Sequence, residues 1–109
     1  MSKFLVVERP VVLTPFPKSS EAKQMVSLLV SELEHQLRLQ KEGKIVGGGP
    51  FLDNRGGCYV LEVDSVEEMG EIFFSSPLNP WIEREVHPLG TVEDSLVGMK
   101  EAMSAFSKG

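Results

Sequence analysis

The first apolar run has the composition of a strand: Phe4-Leu5-Val6-Val7, then Glu8-Arg9-Pro10, then Val11-Val12-Leu13. It predicts a strand from Lys3 to Val12, and the charged, proline-bearing interruption predicts an edge position or a bulge. Pro15 and Pro17 mark a connector. Ser19 or Ser20 suits the N-cap of a helix with Glu21 in its first turn. A helical period then runs to about Glu42, with Gly43 as the glycine beyond its end. Lys44-Ile45-Val46 opens a second strand, relaxed by Gly47-Gly48-Gly49 and stopped by Pro50. A glycine run inside a strand permits a bulge or a close backbone approach. It also leaves volume beside the first helix for a small ligand. Asp53 to Gly57 is a turn cluster, and Cys58 to Val63 is the most β-like run in the chain. A polar cap at Asp64-Ser65, with Glu67 and Glu68 behind it, starts a second helix that carries Met69, Ile72 and Phe73 and ends by Ser76.

The stretch Ser76-Pro77-Leu78-Asn79-Pro80-Trp81 cannot carry a helix across it, because two prolines fix φ and withhold backbone donors. A strand from Ile82 to Leu89 must follow, and Pro88 confines it to an edge or makes that proline one of its last residues. Thr91 or Asp94 then opens a last helix bearing Leu96, Val97, Met99, Met103 and Phe106.

The order is β-α-β-β-α-β plus a C-terminal helix. This is an α+β, ferredoxin-like arrangement in a single domain, with residues 1–90 as core and 91–109 as the added helix. Two helices cover one face of a four-stranded sheet, so the other face needs a partner. A second copy packed sheet against sheet supplies it, giving a homodimer of the dimeric α/β barrel type.

On a wheel of about 100° per residue, Val26, Leu29, Val30, Leu33 and Leu37 form the main apolar stripe of the first helix. Ser27, Ser31, Glu34, Arg38 and Lys41 form its solvent face. Met25, Leu28, Glu32, His35 and Leu39 flank the stripe, so Glu32 falls within an apolar arc. A carboxylate among apolar neighbours loses hydration, which is how proteins build an acid or base for neutral pH. His35, one turn on, is placed to share a proton or to orient the acid. The plainer readings stay open: Glu32 snorkelling from the helix edge or pairing across subunits, and His35 as a structural residue.

Strand alternation puts Glu83, Glu85 and His87 on one face and Ile82, Arg84 and Val86 on the other. Arg84 and Lys44 are candidate anion anchors, set against the ordinary role of Arg and Lys as solvated surface groups. His87, near a strand end, has a surface reading beside a binding one. The glycine run lacks the Gly-Lys-Ser/Thr ending of a phosphate loop and opens no helix.

Composition narrows the field. The 109 residues carry 16 Asp and Glu against 11 Lys and Arg, a net charge of −5, which argues against nucleic acid as a partner. The single cysteine, Cys58, sits in an apolar run and reads as a buried structural thiol. No CxxC, HExxH or His/Cys cluster points to a metal. No segment has the apolar length of a membrane span, and the N-terminus lacks the apolar core of a signal peptide. The expected location is the cytoplasm.

Three segments carry a family resemblance. Pro77-Leu78-Asn79-Pro80-Trp81 leading to Glu85-Val86-His87-Pro88-Leu89 resembles the Pro-Leu-x-Pro-aromatic segment and Glu-Val-x-Pro-Leu ending of muconolactone isomerases. Leu39-Gln40-Lys41-Glu42-Gly43-Lys44 is similar to their Leu-Gln-x-x-Gly-Lys pattern, and Val63 to Glu68 to their strand-to-helix junction. Counting back from Gly43 places Glu32 on a glutamate of the isomerase pattern, where the related YciI-like proteins tend to carry a histidine. The resemblance implies a dimer with facing sheets, open to larger rings of dimers. It also implies a cofactor-free, metal-free proton shift on a small carboxylated lactone or enol, in the setting of aromatic degradation. Glu32 would be the base, His35 its neighbour, Lys44 the charge stabiliser, and Arg84, His87 and Trp81 substrate-binding groups. A YciI-like binding or accessory protein without turnover is the alternative. Three features depart from the pattern: the tail from Gly90 to Gly109, the glycines at 47 to 49, and Ile45 where the isomerases carry tryptophan.

Overall fold

The computed structural model describes residues 2–11 and 19–107. Its elements are β1 (Ser2–Pro10), α1 (Ser19–Lys41), β2 (Ile45–Pro50), β3 (Gly57–Val63), α2 (Val66–Phe74), β4 (Ile82–Leu89) and α3 (Val92–Ser107), with a 3-10 turn at Asn79–Trp81. The expected Val12-Leu13 continuation, the connector prolines and the side chains of the proposed α1 cap lie outside the described residues.

The sheet has the order β2-β3-β1-β4, with every neighbouring pair antiparallel. This is the ferredoxin-like arrangement expected. Pro88 falls in β4, an edge strand, as its missing donor requires. β1 departs from expectation. It is central and unbroken through Pro10, which pairs opposite Ile82. The interruption is harmless because the proline comes last and the charge of Glu8 is satisfied within the fold.

Register sets two faces. Phe4, Val6, Glu8, Tyr59, Leu61, Val63, Arg84 and Val86 share the helix side, whereas Leu5, Val7, Cys58, Val60, Glu85 and His87 share the open side. Leu61, Val6 and Val63 are the fully buried centre of the core, each contributing roughly 1.5–3 kcal/mol of apolar burial. Ile45, Tyr59, Leu39 and Ile72 complete it. Cys58 is only half-buried, because it faces the open side of the sheet.

Local signals account for the element ends. Gly43, at φ 77°, lets Lys44 N–H bond the Leu39 carbonyl and close α1. Ser65 caps α2 by accepting from Glu68 N–H, while Glu68 accepts from Asp64 N–H. The glycine run of β2 carries a register shift between Ile45 and Gly47. At Gly48, φ 97°, β2 lies against the Cys58 backbone too closely for a Cβ.

Two helices depart from the wheel. α1 turns the flanking set, Met25, Leu28, Glu32, His35 and Leu39, towards the sheet. The predicted main stripe, Val26, Leu29, Val30, Leu33 and Leu37, stays 45–56% exposed. α3 has no buried residue and projects from the body, giving a molecule 67 × 29 × 23 Å in extent.

Candidate functional site

Glu32 sits mid-helix on the sheet side of α1 and is 5% exposed. A buried carboxylate needs donors, and two reach it. Ser76 Oγ donates to one oxygen at 2.7 Å, and Gln36 Nε2, one turn along α1, donates to the other at 3.2 Å. Ser76 is itself buried just beyond α2, where Ser75 and Ser76 N–H close the helix by bonding Glu71 O and Phe73 O. The proline-bounded turn thus carries a hydroxyl onto the helix carboxylate.

A second buried carboxylate lies in β1. Glu8, 6% exposed, accepts from Arg84 Nε at 2.7 Å and from Tyr59 Oη at 3.0 Å, both on neighbouring strands. Arg84 stacks 4.5 Å from the Phe73 ring centre and donates to Asn79 Oδ1. Its Nη2 is buried without a partner among the described residues. Burial first, then the charge of Glu8 and the bond to it, push the Tyr59 phenol well above its ordinary value, so it stays protonated as a donor.

Both carboxylates line one cleft of about 510 Å³, the size of a small-molecule site. Its wall is largely apolar, with Met25, Leu29, Leu33, Leu78, Trp81 and Ile82 around Glu8, Glu32, Gln36, Asn54 and Tyr59. Gly49 leaves side-chain volume empty there, as the glycine run predicted. Arg9, the one cation among the described lining residues, turns its guanidinium to the open face, 3.9 Å from Glu85.

Of the residues named from sequence, the cleft brings together Glu32 and Trp81. Arg84 stands behind Glu8 rather than on the wall. Lys44 lies off the cleft and pairs with Glu68 at 2.8 Å; that bond raises the lysine above its usual value and lowers the carboxylate. His87 is exposed on the open sheet face, 3.5 Å from Glu85. His35 is half-buried off the cleft wall, its Nε2 without a partner among the described residues. Glu8, Tyr59, Ser76 and Gln36 were not anticipated. The i,i+4 spacing of Glu32 and Gln36, and the placing of Arg84 on an apolar strand face, are the signals that point to them. Among the described residues no cluster could hold a metal ion, and no helix is long and apolar enough to cross a membrane.

An antiparallel β2-β3-β1-β4 sheet, helices on one face and a cleft holding two buried carboxylates define a ferredoxin-like protein with a small-molecule-sized site. The chain belongs to the muconolactone delta-isomerase family, which matches residues 11–95. The crystal structure of a muconolactone isomerase is similar at TM-score 0.66 and 28% identity, over 82% of this chain and 88% of that one. A 5-chloro-2-hydroxyhydroquinone dehydrochlorinase from Burkholderia phenoliruptrix AC1100, in complex with 2,5-dihydroxybenzoquinone, shares the fold. Its TM-score is 0.60 at 18% identity, over 84% of this chain and 97% of that one. An uncharacterized protein, YjpA, of Bacillus subtilis (strain 168) is 51% identical over 41 residues, which are 38% of this chain and 48% of that protein. The match thus spans about half the length of this curated relative.

Proposed function

We propose that the protein is an isomerase-like enzyme that moves a proton within a small carboxylated lactone or enol, with Glu32 as the base. The observation that carries this reading is a carboxylate, 5% exposed, on the wall of an apolar cleft and held by two neutral donors. In the reaction the carboxylate takes a proton from the carbon beside the lactone carbonyl system. The C–H electrons pass into a dienolate, and the same proton returns at the far end of the allylic unit, so no oxidant or cofactor is consumed. Ser76 and Gln36 hold the carboxylate in one orientation through both steps. Asn54 and Trp81, on the cleft wall, carry side-chain donors for the dienolate oxygen. Lys44, engaged by Glu68, has no part in this scheme, and neither do His35 and His87.

The assembly proposed for this enzyme is a homodimer with facing sheets. Leu5, Val7, Cys58 and Val60 give the open face an apolar centre, ringed by Glu85 and His87.

The test is turnover of a panel of butenolide acids, with proton exchange followed in heavy water. Glu32→Gln keeps the fold, by circular dichroism, and lowers turnover about 10²–10⁴-fold. Unchanged turnover rules out Glu32 as the base. Saturable binding without turnover in the wild type favours the YciI-like binding reading instead.

A further inference from the structure

The geometry points to α3 as an exchanged element: it docks along the exposed stripe of α1 in a second copy of this chain and backs that copy's cleft wall. Two unpartnered apolar faces carry the inference. On α3, Val92, Leu96, Met99, Met103 and Phe106 are 53–85% exposed and recur at spacings of four, three, four and three residues. On α1, Val26, Val30, Leu33 and Leu37 recur at four, three and four, with Leu29 beside them, all exposed. This 3.5-residue repeat is the period with which paired helices interdigitate at a shallow crossing angle. The stripes span about 21 Å and about 16 Å of helix axis, at 1.5 Å per residue, so one covers the other.

Charge sets the direction. α3 begins with Glu93 and Asp94, and α1 ends with Arg38 and Lys41. An antiparallel pairing puts the acids of one beside the bases of the other and opposes the helix dipoles. Met99 then falls opposite Val30 and Leu33.

Connectivity favours a second copy over the chain's own α1. α3 leaves β4, one edge of the sheet, through Gly90 and Thr91 alone, and Thr91 already caps the helix by accepting from Asp94 N–H. α1 packs over β2, the opposite edge. α2 stands between, with Phe73 beneath Arg84 of β4. Most of α3 also lies beyond residue 95, where the family match ends, so the docking helix is an addition to the shared fold. The contact differs from a sheet-to-sheet dimer, because α1 lies on the other side of the sheet. Leu29 and Leu33 belong to both the stripe and the cleft wall, so the docked helix seals the outer side of the site.

The test is cross-linking in the full chain, independent of turnover and therefore of the proposed reaction. Tagged Val30→Cys and untagged Met99→Cys copies, both with Cys58→Ser, are co-expressed and treated with a short bismaleimide. A tagged Ser31→Cys copy, exposed and about 100° round α1 from Val30, replaces Val30→Cys as control. The expected result is a tagged–untagged species at least tenfold more abundant with Val30→Cys than with Ser31→Cys, diminished when Leu96→Glu and Met103→Glu are added to the Met99→Cys copy. Equal yields, or no mixed species, overturns the proposal.

Discussion

Arg84→Met removes the cation that neutralises a carboxylate buried in the central strand. The Glu8 and Arg84 side chains are 8% and 11% exposed, and Nε lies 2.7 Å from Oε2. With the arginine gone, Glu8 keeps only the Tyr59 hydroxyl as a bond to its charge. Breaking one side of such a pair costs about 3–5 kcal/mol, because the remaining charge stays buried without compensation. The stacking of Arg84 on Phe73 adds about 1 kcal/mol. At about 4–8 °C per kcal/mol for a domain near this size, the melting temperature falls by at least 12 °C or so. Glu8→Gln combined with Arg84→Met leaves a neutral amide that still accepts from Tyr59, and its stability returns to within about 1 kcal/mol of wild type. Phe73→Leu isolates the ring contribution. Urea unfolding followed by circular dichroism, at one fixed protein concentration because the chain is proposed to self-associate, measures all four proteins. A loss below about 1 kcal/mol in Arg84→Met, or a double variant as unstable as the single, refutes the pairing argument.

The chain has one tyrosine, so tyrosinate absorbance reports Tyr59 alone. Its folded pKa is raised. The stability this represents is therefore complete below the ordinary phenol value and is lost as pH climbs beyond it. Absorbance and circular dichroism should change together on alkaline titration; a phenol ionising at its ordinary value in intact protein contradicts the buried network. Gly48→Ala forces a side chain into φ 97° and into the Cys58 carbonyl, costing about 2 kcal/mol or more. Gly47→Ala, next to it, meets open space and costs less than about 1 kcal/mol. Equal melting temperatures for the two variants refute the close approach of β2 to β3.

The punctuation of the fold was legible because prolines and glycines act locally. Pro77 and Pro80 end the helical region, Gly43 closes α1, and Pro88 marks an edge strand. Glu32 was legible because a carboxylate stands out in an apolar arc. Its donors were not, since Ser76 is 44 residues away in sequence and a serine beside a proline turn looks like solvent-facing loop. Glu8 was misread for the same reason: a charge near a strand end looks like an interruption until Arg84 and Tyr59 arrive from other strands. Lys44 looked free because Glu68 comes from the next helix. The α1 stripe shows a different limit. Periodicity says which residues avoid water, but not whether their cover comes from the same molecule.

The cleft has walls of unequal kind. Glu8 and Tyr59 lie within the β1-β3 ladder, so altering that side disturbs the backbone pairing that holds the domain together. Phe51 and Asn54, across the cleft, belong to the β2-β3 turn, where Asn54 already adopts φ 63° and the turn closes through Phe51 and Gly56. For the proposed reaction, substrate preference is therefore easier to retune through that turn than through the strand side.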